Sequence, residues 1–200
     1  MKISIVTVSY NSSETIRDTI ESVLSQDYDD IEYLIVDGGS TDTTLDIVRE
    51  YGARIDVVVS EPDQGIYDAM NKGIRAATGE IVGMLNSDDF YADNSAVRHL
   101  IECMVNAGAD TVFADLVIVN ASDTKRVIRY YDSSKFRPER MRYGWMPAHP
   151  TFFVKRELYE RYGGFSLDYK IAADFEMVVR LRYVAGASYA YLPAVVIKMR

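Results

Sequence analysis

Ile3-Ser4-Ile5-Val6-Thr7-Val8-Ser9-Tyr10-Asn11-Ser12-Ser13-Glu14-Thr15-Ile16 is the stretch on which the fold turns. Ile3 to Ser9 reads as a buried strand. Asn11, with Glu14 three residues on, has the form of a capping box, and Ile16, Ile20, Val23 and Leu24 follow at helical spacing. A strand that runs through a polar turn into a helix is the opening unit of a parallel sheet with crossover helices.

The unit then repeats. Tyr33 to Val36 is a second strand, followed by a short helix that Ser40 or Thr41 caps, that carries Leu45 and Val48, and that ends near Gly52. Ile55 to Val59 is a third strand. Ile66, Ala69, Met70, Gly73 and Ile74 share one face of a third helix, and Ile81 to Leu85 is a fourth strand. Past residue 90 the alternation loosens into a helical stretch over 96–105 and strands over Val112–Val119 and Val127–Tyr131. Phe175 to Val184 is apolar on nearly every side, which predicts a helix buried within the fold. No repeat, linker or low-complexity tract interrupts the chain. The expectation is one α/β unit over residues 1–200, with a ligand-binding half over 1–90 joined near Asp89 to a second, mixed half over 91–200.

Composition narrows the function classes. With 48% hydrophobic and 26% charged residues among 200, the chain has the profile of a globular protein that can bury a core, not that of a disordered one. No apolar run approaches the ~18 residues of a membrane-spanning helix. The one cysteine, Cys103, excludes an internal disulfide framework and a thiolate zinc cluster. Met1 to Val6 enters a strand with no signal-peptide pattern, so the expected compartment is the cytoplasm. A net charge of -8 argues against nucleic acid as a partner, because nonspecific binding needs a positive field.

In open parallel sheets a ligand sits outside the carboxyl ends of the strands. Four such ends carry small or acidic residues: Ser9-Tyr10-Asn11, Asp37-Gly38-Gly39-Ser40, Asp63-Gln64-Gly65 and Asn86-Ser87-Asp88-Asp89. Neither a G-x-G-x-x-G dinucleotide fingerprint after the first strand nor a phosphate-binding P-loop is present. Adjacent carboxylates such as Asp88 and Asp89 repel unless a cation or strong donors neutralise them. Mg²⁺ or Mn²⁺, held by one or two carboxylates and completed by diphosphate oxygens and water, meets that need.

Together these segments resemble the family 2 glycosyltransferases, which have the GT-A fold: a Rossmann-like, mostly parallel sheet flanked by helices. The resemblance covers essentially the whole chain. It is carried by Val6 to Asn11, Val36 to Asp42, Gly65 to Gly73, Asn86 to Asp89, His149 to Phe153 and Ala172 to Glu176. It implies an inverting, metal-dependent transfer of a sugar from a nucleoside diphosphate, a UDP-sugar ahead of GDP- and dTDP-sugars, to a hydroxyl on a saccharide or lipid-linked saccharide, in bacterial polysaccharide biosynthesis. By resemblance Thr7, Val8, Tyr10 and Asn11 cradle the nucleotide and Asp37 bonds the base. Asp63, Asn71 and Asn86 complete the nucleotide-sugar site, Asp88 contacts the ribose or sugar, and Asp89 holds the metal. Asp174 matches the catalytic base, which takes the acceptor's proton as the hydroxyl attacks opposite the leaving diphosphate.

The chain departs from the family pattern in two places. Met70 stands before Asn71 where many relatives carry arginine, leaving Lys72 as a replacement cation for phosphate. Ala173-Asp174 replaces the usual Glu-Asp, and Glu176 either orients the acceptor or pairs with Arg180 one turn on. His149 lines the acceptor side, approaches the metal or is structural. Between Lys125 and Arg142, seven cations against two carboxylates leave a net +5, with aromatics interleaved. This stretch is either a solvated basic face or a peripheral contact with an anionic membrane or a lipid diphosphate carrier. A nucleotide-sugar-binding subunit without turnover is the alternative to an enzyme. A nucleotidyltransferase is disfavoured, because Ser9-Tyr10-Asn11 supplies no phosphate-gripping basic loop.

Overall fold

The amino-terminal run forms β1 (Ile3–Ser9), buried along its whole length in the computed structural model, which describes residues Met1–Arg200. Side chains alternate across a strand. Ile3 and Ile5 therefore face one apolar layer while Val6 and Val8 face the other. β2 (Ile31–Asp37) and β4 (Ile81–Asn86) flank β1 in parallel, and β3 (Val57–Ser60) lies parallel to β2. The crossovers are α1 (Ile16–Leu24), α2 (Thr44–Glu50) and α3 (Ile66–Ala76). The chain builds outward from β1 to β3 and then returns to place β4 on the other side of β1. A crevice opens between the carboxyl ends of β1 and β4 for that reason.

The second half extends the same sheet. In chain order it contains β5 (Phe90–Tyr91), α4 (Ala96–Asn106), β6 (Thr111–Asn120), β7 (Asp123–Tyr131), β8 (Phe153–Lys155), α5 (Arg156–Tyr162), α6 (Ala173–Tyr183) and β9 (Tyr189–Met199). The nine-stranded sheet runs β3-β2-β1-β4-β8-β6-β9-β5, with β7 also on β6. β8 is antiparallel to both β4 and β6, which restores β6 to the direction of β4. β9 takes one edge of β6 from Thr111 to Ile118. β8 at Thr111–Val112 and β7 at Leu116–Asn120 share the other edge, and the outer edge of β7 pairs with nothing.

Helices α1, α2 and α4 cover one face through Ile16, Ile20, Val48, Val97 and Leu100, while α3, α5 and α6 cover the other through Ala69, Met70, Leu158, Met177 and Leu181. α3 lies close on β1 because residue 73 is glycine, where a Cβ would collide with the Val6 side chain. No helix is long and apolar enough to cross a membrane.

Three local expectations are corrected. Asn11 caps nothing: α1 starts only at Ile16, and Asn11, at φ 49°, accepts from the Thr41 N–H at its Oδ1 at 2.8 Å. Neither Ser40 nor Thr41 caps α2. Asp42 does so from two residues away, accepting from the Thr44 N–H at 2.9 Å and, across the loops, from the Ser13 N–H at 3.1 Å. Both short-range caps lost to bonds between the loops after β1 and β2, which sequence spacing cannot register. α6 is half covered, not enclosed. Ala173, Met177, Val178 and Leu181 pack inward, but Tyr183 and Val184 are exposed at the outer surface of its layer.

Candidate active site

A cleft of about 1100 Å³ opens at the predicted strand ends. Val8, Tyr10, Asn11, Asp63, Asn86 and Asp88 line it, so six of the residues expected to bind a nucleotide sugar share one concavity. Its loops are stitched together by short polar bonds. Ser12 and Ser87 share a hydroxyl hydrogen bond of 2.7 Å between the first and fourth loops. The buried Thr19 of α1 donates to the carbonyls of Ser87 and Asp89 at 3.0 and 2.7 Å, fixing the turn that carries Asp88. Asp63 accepts from the Gly65 N–H at 2.7 Å, and a Cβ at Gly38 would strike the Asp63 carboxylate.

Asp88 is exposed to the cleft, whereas Asp89 is 1% exposed and turned inward. Burial, and then the charge of Asp88, push the Asp89 carboxyl up to about 7. Asn86 donates to Asp89 at 3.3 Å and keeps its Oδ1 buried without a partner. One exposed carboxylate beside an unpaired amide oxygen fits a hard divalent cation that draws its other oxygens from substrate and water. No group of three or more His, Cys, Asp or Glu side chains gathers anywhere to form an all-protein cage.

A second cluster stands at the amino-terminal end of α3. Tyr67 follows Ile66, which lines the cleft, and its hydroxyl donates to Asp174 Oδ1 at 3.1 Å. The other carboxylate oxygen of Asp174 carries no hydrogen bond in the structure. The Tyr67 ring stacks on Phe165 at 5.6 Å, and His149 meets the edge of Phe165 at the same centroid distance. Burial and then the Asp174 charge raise the Tyr67 hydroxyl above its ordinary range. Burial lowers His149 against the opposing pull of Asp174, which favours a neutral imidazole.

Comparison with known proteins decides the family, since the model of glycosyl transferase family 2 matches residues 4–163. The chain belongs to this family. This family 2 glycosyltransferase is 29% identical over 201 residues to a PGL/p-HBAD biosynthesis glycosyltransferase of Mycobacterium bovis (strain BCG / Pasteur 1173P2), covering 93% of this chain and 75% of that one. An uncharacterized glycosyltransferase of Mycobacterium tuberculosis (strain CDC 1551 / Oshkosh) is 30% identical over 185 residues, covering 91% and 69%. Among solved structures, S. aureus TarS 1-349 in complex with UDP superposes with a TM-score of 0.81 at 22% identity, covering 99% of this chain and 60% of that one. The mannosyltransferase PcManGT from Pyrobaculum calidifontis, in complex with GDP-Man and Mn²⁺, gives 0.76 at 23% identity, covering 98% and 56%. The fold is thus the GT-A fold, and this chain spans a little over half the length of those two solved chains.

Within this glycosyltransferase, several residues expected in the nucleotide site also make contacts inside the fold. Thr7 lies on the same face of β1 as Ile3 and Ile5, fully buried, with its hydroxyl 3.1 Å from that of Tyr33. Asp37 is 0% exposed and organises the loop after β2, accepting from Ser9 Oγ, the N–H groups of Gly39 and Ser40, Ser40 Oγ and Ser60 Oγ at 2.5 to 3.2 Å. Asn71 spends both ends of its amide on the Phe165 backbone, each at 2.8 Å. Lys72 holds the Pro62 carbonyl and the Glu61 carboxylate. Glu176 pairs with Arg180 at 2.8 and 2.9 Å, and that guanidinium clamps the carbonyls of Tyr162, Gly163 and Gly164. His149 lies with Phe165 and Asp174, away from the cleft lining.

Two participants escaped the sequence reading. Tyr67 falls within the Gly65 to Gly73 segment, but nothing in one dimension links it to a residue 107 positions on. Arg200 carries no local signal. Its side chain is paired with Asp18, donates to the Asp88 carbonyl at 3.3 Å and lies over the Phe90 ring at 4.8 Å, while its N–H approaches Asp89 Oδ1 at 3.4 Å.

Proposed function

We propose that this glycosyltransferase moves a sugar from a nucleoside diphosphate, a UDP-sugar in first place, to an acceptor hydroxyl with inversion, in the assembly of a bacterial surface glycan or glycolipid. The observation that carries the reading is that Ile66, at the start of α3, lines the cleft that exposes Asp88 at the fourth strand end, while the next residue, Tyr67, hydrogen-bonds Asp174 and leaves its second oxygen free. The ligands named for the solved neighbours, UDP and GDP-Man with Mn²⁺, support the donor class and a divalent ion. The name of the mycobacterial relative, a PGL/p-HBAD biosynthesis glycosyltransferase, supports a biosynthetic sugar transfer.

The donor's nucleoside lies along Val8, Tyr10, Asn11 and Asp63, with its diphosphate toward Asn86 and Asp88. Asp88 and the free Oδ1 of Asn86 would hold Mn²⁺ or Mg²⁺, which supplies positive charge to the departing diphosphate. We assign that role to Asp88, the carboxylate exposed to the cleft, and place Asp89, 1% exposed and hydrogen-bonded by Asn86, behind it. Tyr67 fixes Asp174 Oδ1, which leaves Oδ2 to take the proton of the attacking hydroxyl. No acid is needed for the leaving group, in contrast to an inverting glycosidase with its two working carboxyl groups. The neutral His149 adds no positive charge that would weaken the base.

Isothermal titration with UDP, GDP and dTDP, each with and without Mn²⁺, tests the reading. It predicts that one nucleotide binds and that binding is lost without the ion. No binding of any of the three under either condition would refute it.

A further inference from the structure

We propose that β7 and the turn that follows it, residues 123–143, form a docking surface for an anionic lipid bilayer. The inference stands apart from the donor reading, since it uses no residue of the cleft. Of the 22 Lys and Arg residues, nine form ion pairs with carboxylates. None of the seven between Lys125 and Arg142 is among them. That stretch is net +5 in a chain of net -8, so the remainder is net -13. A negatively charged leaflet therefore attracts this strip and repels the rest, and the asymmetry alone sets one orientation.

Charge on an unpaired strand edge is also a common guard against edge-to-edge association. Guarding does not account for what lies between the cations. Val127 and Ile128 are 53% and 62% exposed, and Tyr130 and Tyr143 are 52% and 75% exposed. β7 is exposed along almost its full length. Phe136 and Trp145, by contrast, stack together at 5.7 Å, Phe136 within the core and Trp145 packed against it, and serve folding. β-branched and tyrosyl side chains interleaved with arginines suit the boundary between headgroups and acyl chains, where apolar insertion and attraction to anionic lipid act together. A soluble polyanion would use the cations alone.

The placement fits the rest of the molecule. β7 occupies the edge of β6 just past β8. Ser133, two residues after β7, accepts from the Ala148 N–H at 3.2 Å, and Ala148 precedes His149 beside Asp174. Docking through β7 holds the Asp174 side of the protein near the membrane, where an acceptor with a lipid tail presents its hydroxyl.

Sedimentation with vesicles of phosphatidylcholine, alone or with about one third phosphatidylserine, reads the proposal directly. The chain is expected to bind only the anionic vesicles and to release as salt rises. The triple variant Arg129→Gln, Arg140→Gln, Arg142→Gln should bind about 100-fold more weakly, and Val127→Ser with Ile128→Ser should also weaken binding. All five side chains are exposed or unpaired, so melting temperature and UDP titration should stay as in the parent; a parent that binds vesicles but no nucleotide would refute the donor reading alone. Equal binding to both vesicle types, or an unchanged triple variant, would overturn the proposal. So would binding to soluble polyphosphate without vesicle binding, or a lipid-free dimer that the Val127 and Ile128 changes abolish, which would assign the edge to a second copy.

Discussion

Replacing Glu32 by Gln isolates the tie that anchors the sheet at the end opposite the cleft. Glu32 is 5% exposed and accepts from Lys2 Nζ at 2.8 Å, Ser4 Oγ at 2.5 Å, and the N–H and Oγ1 of Thr78 at 2.7 and 2.5 Å. These bonds join the starts of β1 and β2 to the loop that feeds β4. Burial pushes the carboxyl upward, but the bonds from Lys2, Ser4 and Thr78 outweigh it and hold the group down at about 2, against an ordinary 4.5. At about 1.4 kcal/mol per pH unit, that displacement is about 3 kcal/mol of folding stability. Because the folded value lies below the unfolded one, the contribution is complete above pH 4.5 and drains away as pH falls toward 2. Urea unfolding of the parent and Glu32→Gln across pH should therefore give a gap of about 3 kcal/mol at pH 7 that narrows to about 1 kcal/mol at pH 3. A gap that stays constant with pH would show that the cost is steric and that the charge contributes nothing.

Asp174→Asn should lower the transfer rate by about 10² to 10⁴ with the nucleotide dissociation constant unchanged, since only a base in the transition state is removed; a rate within a few-fold of the parent would exclude Asp174 as that base. Tyr67→Phe, which deletes one hydrogen bond to that carboxylate, should cost about 10-fold in kcat and little in KM. Asn71→Ala removes both amide bonds to the Phe165 backbone and should destabilise the fold by about 2 kcal/mol in urea, whereas a variant of parental stability that has lost UDP affinity would return Asn71 to the nucleotide site.

The strand-and-helix alternation of residues 3–86 was readable because each element there has its own period, and a parallel sheet puts its loops at one end whatever the details. That is why Tyr10, Asn11, Asp63, Asn86 and Asp88 meet in one cleft as expected. What one dimension leaves open is a choice between near neighbours or a bond across long sequence separation. Asp88 and Asp89 are equivalent in one dimension, and only the buried turn held by Thr19 sends one outward and the other in. Thr7 and Val8 differ by one step of strand parity. Asn71 reads as a ligand residue until Phe165, 94 positions away, takes both ends of its amide. Glu176 was the easier case, because the i,i+4 spacing to Arg180 was already visible.

The most direct test of the account compares UDP binding in the presence of Mn²⁺ for the parent, Asp88→Asn and Asp89→Asn by calorimetry. The account predicts that Asp88→Asn abolishes the Mn²⁺-dependent part of the affinity, while Asp89→Asn, which replaces a buried carboxyl by its neutral isostere, retains it. Loss of Mn²⁺-dependent binding in Asp89→Asn with binding intact in Asp88→Asn would contradict it.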